Sequence, residues 1–314
     1  METKKKIIVI GSIGYDQKIF LYEMPEVGST QLGNIQISLG GKGNIEAVAC
    51  AKTEGETIFL GAVGDRDYEN LRRHFEENKI IPKLKKVDNT PSHTALILID
   101  REGKHRIIAD PGASFDVDKK LIIENKESIN SSSFILLQLE ISFDTVKYII
   151  EEYRNKKTII LRPSPVPVNE LEKLRKLIKD INYLILNEGE LGKISGEETK
   201  TKEQIEAACE KIMKSYKPKN VIVPLLDKGW LLWNQEKGKK IFGPYFVGNI
   251  IDKVGSMDCF IGVFASFLCR ENNVDEAIKY ANLASSISST KEGTIPSLPN
   301  NHDLRRWKNM IQNW

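Results

Sequence analysis

The feature that most constrains this chain is the alternation between Ser133 and Leu225. Short apolar runs (Ser133–Leu139, Thr158–Leu161, Tyr183–Leu186, Asn220–Leu225) alternate there with longer stretches of helical character (Ser142–Lys156, Asn169–Ile178, Thr201–Tyr216). A strand–helix–strand order with crossovers of this length yields parallel neighbours. Parallel strands have to be covered on both faces. The expectation is an α/β fold, a doubly wound, mainly parallel sheet with helices on both faces. Ligands then sit outside the carboxyl ends of the strands.

The flanking segments extend this pattern. Lys6–Ile10 reads as a buried strand ending at Gly11-Ser12, Thr57–Val63 as another strand, and Tyr68–Asn78 as a helix. Ile19–Ile37 is broken by Pro25, Gly28 and Gly33 into short alternating pieces. Thr94–Asp100 and Arg106–Ala109 flank a Glu102-Gly103 hairpin turn. These hairpins do not fit a parallel sheet and predict a small separate one, built from about residues 14–38 and 93–110, on a single domain spanning 1–314. Trp230–Trp233 and Lys239–Phe242 predict a late hairpin, and Asp258–Arg270 and Val274–Ser288 two apolar-faced helices.

A chain of 314 residues can bury a sizeable core without disulfides or metals. Lys plus Arg number 46 and Asp plus Glu 43, so the formal excess is only +3. That balance argues against nucleic acid and anionic membranes as partners. Cys50, Cys209, Cys259 and Cys269 show neither CxxC nor zinc-ligand spacing, and the apolar settings of Cys50, Cys259 and Cys269 suit buried free thiols. The apolar run Ile7–Ile10 is far too short for a membrane span, and no later run is long enough. A soluble, cytoplasmic protein is expected. His74, His93, His105 and His302 are scattered among polar neighbours and read as surface residues.

Three local patterns carry chemistry. In Asp252–Phe260, Asp258 falls near a helix start. It either caps the first turn or takes a hydroxyl proton beside amides that hold a phosphate. Gly40-Gly41-Lys42-Gly43 opens onto a helix, but lacks Walker A spacing and is by itself a tight turn. Asp16, past the first strand, is either a sugar-hydroxyl ligand or a solvated turn residue. Asn187-Glu188-Gly189-Glu190 is either a helix N-terminal acid cluster or a set that organises Mg²⁺ through water.

In order and spacing, these motifs resemble the ribokinase-like (PfkB) family of carbohydrate kinases from Ile7 to Pro299. Gly11–Asp16 is similar to the family's GSxNxD, Gly40–Gly43 to GGKGAN, and Gly61–Asp65 follows at the family's distance. Gln138-Leu139-Glu140 resembles its QLE, Asn187–Glu190 its NxxE, Asp252–Phe260 its DTxGAGDxF and Glu292–Ser297 its cation-site loop. The resemblance implies ATP-dependent phosphorylation of a sugar hydroxymethyl group, on ribose or a related sugar. Asp258 would be the base, with the amides of Gly255, Ser256 and Met257 as anion hole. Asp16, Gly40, Gly41, Lys42 and Glu140 would face the sugar. Asn187, Gly229 and Asn282 would lie by the nucleotide, with Glu190 near Mg²⁺. Asp252, Gly293 and Ser297 would surround a monovalent cation such as K⁺. The small sheet would be a lid and the contact of a homodimer.

Several positions depart from the pattern. Gly14 and Ile45 stand where it has Asn, Arg162 where NPxP has Asn, and Pro224-Leu225-Leu226 where it has Thr-Leu-Gly. Met257 replaces the Gly before the base, where its side chain would crowd a phosphate, and Lys253 replaces a Thr. Lys253 is read as a replacement for the monovalent ion, its ammonium taking the ion's place. The alternative function is a catalytically weak or inactive small-molecule-binding protein on the same fold.

Overall fold

The computed structural model describes residues 5–225, 229–242 and 248–309. β1 (Lys6–Ile10) lies inside a nine-stranded sheet. β4 (Glu56–Gly64) and β5 (Ile81–Val87) follow on one side of it. β8 (Ser132–Leu137), β9 (Thr158–Leu161), β10 (Tyr183–Ile185) and β11 (Asn220–Pro224) follow on the other. All these pairings are parallel. The late hairpin, β12 (Trp230–Asn234) and β13 (Gly238–Phe242), adds an antiparallel edge.

The strand residues explain both layers. Side chains alternate along a strand, so a fully apolar strand must serve two cores. Ile7 and Val9 join one core with Phe134 and Leu136. Ile8 and Ile10 join the other with Ile135 and Leu137. The first core is covered by α1 (Lys42–Lys52), α2 (Tyr68–Glu77), α9 (Ser256–Glu271) and α10 (Val274–Ser289), with Leu304 of α11 (Asn301–Lys308). The second is covered by α3 (Lys119–Glu124), α4 (Lys126–Ser131), α5 (Phe143–Tyr153), α6 (Leu171–Leu177), α7 (Glu188–Ser195) and α8 (Lys202–Tyr216). Each fully buried Ile or Leu stabilises the fold by roughly 1.5–3 kcal/mol. All four cysteines are buried free thiols.

The hairpin segments form a separate four-stranded sheet, ordered β3 (Asn34–Gly40), β2 (Gly14–Phe20), β6 (His93–Ile99), β7 (His105–Asp110). The fold class is thus the expected one, a large mainly parallel sheet plus a small one. Among the described residues, no helix is long and apolar enough to cross a membrane.

Candidate functional site

The carboxyl ends of β1, β8, β9 and β10 release the chain toward one region, as the topology requires. A cavity of about 430 Å³ opens there. Its floor holds Gly41, Lys42, Ile45, Glu140, Gly255 and Asp258. The inner face of the small sheet forms its wall with Asp16, His93, Ala95, Ile97, Ile107 and Ala109. Alternation along β2 turns Asp16 and Lys18 inward and leaves Gln17 and Ile19 outward.

One end of the cavity is a carboxylate–ammonium set. Lys42 Nζ donates to Glu140 Oε1, its backbone N–H donates to Glu140 Oε2 at 2.9 Å, and the Ser12 hydroxyl donates to the same Oε2. Burial alone would raise the Glu140 carboxyl, but Lys42, His93 and Ser12 hold it down at about 2. Burial, then the Glu140 charge, pushes Asp16 up to about 6. Gly40 does not line the cavity. It abuts the Asp16 carboxylate so closely that a Cβ there would lie 2.1 Å from Oδ1. Asn44 Nδ2 donates to Gly40 O, and its Oδ1 meets His74 Nε2 at 2.9 Å, so that amide serves the loop and not the cavity.

Asp258 is the third residue of α9 and only 6 % exposed. Gly255 precedes the helix with φ 80°, a left-handed turn that suits glycine. Helix starts leave amides without intrahelical partners. Among the described residues the N–H groups of Gly255 and Met257 have no backbone acceptor. Ser256 corrects the expectation, because both its N–H and its hydroxyl donate to Lys253 O. The Met257 side chain packs against the apolar core and does not line the cavity, so the expected crowding is absent.

The Asp258 carboxylate caps nothing; it accepts from Arg162 Nη1 instead. The same buried guanidinium donates through Nε and Nη2 to Glu190 Oε1 at 3.4 Å. Burial pushes the Asp258 carboxyl up and the Arg162 charge opposes it. Glu46 is fully buried beside this pair and accepts from Gln138 Nε2; burial and the Asp258 charge raise it well above the carboxylate range.

Asp252 and Gly293 come together, with Gly293 N–H donating to Asp252 Oδ2 at 3.3 Å. The ammonium on that carboxylate belongs to Lys18 of β2, at 2.6 Å. Lys253 is exposed, which corrects its reading as the ion's replacement. Ser297 Oγ is engaged by Thr294 O and Ser288 Oγ, both at 2.8 Å. Asn187 caps α7 in a capping box with Glu190. Gly229 precedes β12 with φ 93°, and Asn282 is buried in α10. None of these three lines the cavity with Asp258. Leu226 lies outside the described residues.

Sequence reasoning missed His93, Lys18 and Glu46, and treated Arg162 only as a departure. His93 is 2 % exposed and His74 half-buried, against the surface reading; His302 is exposed. For His93 a signal did exist: it starts a strand with period-two burial whose inner positions continue through Ala95 and Ile97.

Residues 4–301 match the pfkB family of carbohydrate kinases. The chain belongs to that family, and the enzyme is a sugar kinase, a phosphotransferase. It is 28% identical to a ribokinase of Dictyostelium discoideum over 96% of this chain and 99% of that one. It is 31% identical to a deoxyribokinase of Salmonella typhi over 93% and 95%. A ribokinase structure from Giardia lamblia superposes with a TM-score of 0.89 at 25% identity, covering 99% and 100% of the two chains. The Arabidopsis thaliana ribokinase complexed with ribose and ATP gives 0.83 at 25% identity, covering 97% and 99%.

Proposed function

We propose that this sugar kinase transfers the γ-phosphoryl group of ATP to the hydroxymethyl group of ribose or a related pentose, with Asp258 as the base. The observation that carries this reading is the shared cavity. A buried carboxylate at a helix start faces the same space as Asp16, Lys42 and Glu140, beside the amides of Gly255 and Met257. Asp258 accepts the hydroxyl proton, and the sugar oxygen forms the new bond to phosphorus. The β–γ bridging oxygen leaves with its electron pair on ADP. The Gly255 and Met257 amides and the α9 dipole stabilise charge on the transferred group. Arg162 keeps Asp258 charged and aimed, since burial alone would favour the neutral acid.

Mg²⁺ accompanying the nucleotide would neutralise phosphate charge, and Glu190, whose Oε1 accepts from Arg162 and whose Oε2 accepts from the Asn187 N–H, would reach it through water. Magnesium keeps several waters and takes few protein ligands, so one carboxylate suffices. A monovalent cation fits less well, because its carboxylate is engaged by Lys18. Two further properties belong to this reading. The outer face of the small sheet is the contact of a homodimer, and the buried thiols suit a reducing, cytoplasmic setting.

The packing of Met257 into the core favours an active enzyme over an inactive binder. The test is ADP release over a panel of pentoses, hexoses and nucleosides. Asp258→Asn is expected to lower kcat by about 10²–10⁴-fold with little change in sugar KM. Full turnover in that variant overturns the assignment of the base.

A further inference from the structure

We propose that His93 binds a hydroxyl of the sugar substrate, from the wall opposite Lys42 and Glu140. The inference rests on the kinase reading and deepens it by adding a specificity-determining residue. His93 is 2 % exposed and lines the cavity with Asp16 and Glu140. Its Nδ1 is buried and has no hydrogen-bond partner among the described residues. An unpaired ring nitrogen is costly inside a fold, and at a cavity wall a ligand can satisfy it.

The neighbouring strand explains why this side chain stands there. In β2, Gly14 pairs with His93, and a Cβ on Gly14 would lie 1.8 Å from the His93 carbonyl oxygen. No other residue fits at position 14 without moving β6. β2 therefore offers no side chain at this level, and β6 supplies one.

The chemistry selects a hydroxyl. Burial holds the His93 imidazole below its ordinary pKa, with the Glu140 charge opposing it only in part, so the ring is neutral near pH 7. A neutral imidazole carries one donor and one acceptor, as a hydroxyl does. A phosphate or carboxylate would instead call for a cation, and the nearby Lys42 ammonium is bound to Glu140. On the same inner face, Ala95 and Ile97 are apolar. His93 and Asp16 are thus the polar side chains with which this wall meets the cavity.

The test is calorimetric binding of D-ribose to the full chain without nucleotide, followed by steady-state kinetics. His93→Ala and His93→Phe are expected to weaken ribose binding and raise sugar KM about tenfold, with ATP KM within about twofold. His93→Asn, which keeps a donor and an acceptor, is expected to recover most of the loss. Melting curves check that the variants fold. Ribose affinity unchanged in the Ala and Phe variants overturns the role of His93 and leaves the kinase reading intact. A parent protein that does not bind D-ribose overturns ribose as the substrate and this assignment with it.

Discussion

As a sugar ligand in the proposed reaction, Asp16 would link substrate binding to pH. Its carboxyl, pushed up to about 6 by burial and Glu140, can accept sugar hydroxyls best when ionised. Sugar KM should therefore fall as pH rises from 5 to 7, and Asp16→Asn should remove that dependence. Stability has the opposite sign. The folded-state pKa lies above the unfolded value, so the contribution of Asp16 is full below about 4 and lost as pH rises through about 6. Asp16→Asn should melt higher than the parent at pH 8, with a smaller gain at pH 4.5. A parent KM that is flat across this range would count against Asp16 as a sugar ligand. Glu140 works the other way: its stabilisation is present above about 4.5 and lost as pH falls toward 2.

Arg162 gives a second residue-scale prediction. Arg162→Met leaves Asp258 and Glu190 buried without their guanidinium, a change that costs about 3–5 kcal/mol when one partner of a buried pair is removed. Turnover should fall as well, and Arg162→Lys should restore part of it by returning the charge without the forked geometry. Unchanged stability and kcat in the Met variant would refute this. Asp258, Asp16, Lys42 and Glu140 were legible because they stand in spaced motifs. Arg162 and Lys18 were not, because each acts from a strand or its end, where polarity signals only a turn or a solvated face, and their partners Asp258 and Asp252 lie far away in sequence. His93 was overlooked although it opens a strand of period-two pattern.

Among the elements, an ion pair helps to fasten the small sheet to the base of the site. Lys18 of β2 reaches Asp252 in the loop before α9, with both side chains largely buried. The pair ties the wall bearing Asp16 and His93 to the turn that starts the Asp258 helix. Lys18→Met should lower the melting temperature, by about 3 kcal/mol or more in stability, and raise sugar KM. With the ammonium in place, turnover of the parent should not depend on K⁺. Strong activation by K⁺ in a sodium- and potassium-free background would refute that. Elements with a clear period were legible in sequence, as β1 and α8 show. β5 was missed because Pro82 and alternating lysines make it an edge strand of weak apolar signal. α7 was legible only at its start, as the helix N-terminal reading of Asn187–Glu190, because two glycines dilute the rest of its short pattern; the capping box of Asn187 and Glu190 secures that start.

At the scale of the molecule, the small sheet has two faces of different use. The inner face walls the cavity, while the outer face carries exposed apolar side chains with no cover among the described residues. Ile35, Ile37 and Ile108 are 59%, 64% and 63% exposed. Register sets Ile35 opposite Ile19, Ile37 opposite Gln17, and Ile108 opposite Leu96, so these side chains share the outward face. Exposed apolar side chains grouped on one face favour association, and the β3 and β7 edges can lie against a copy of themselves. The sequence hid this patch because alternating apolar residues look the same whether a core or a partner covers them. Sedimentation velocity at several concentrations should show a dimer for the parent. Ile37→Glu combined with Ile108→Lys should give a monomer of unchanged melting cooperativity, since neither side chain is part of either core. Sugar KM should rise in that monomer, because the wall bearing Asp16 and His93 loses its support, while ATP KM stays near the parent value. A parent that sediments as a monomer at every concentration removes the dimer, and a monomeric variant with parental sugar KM removes the coupling between the outer face and the cavity.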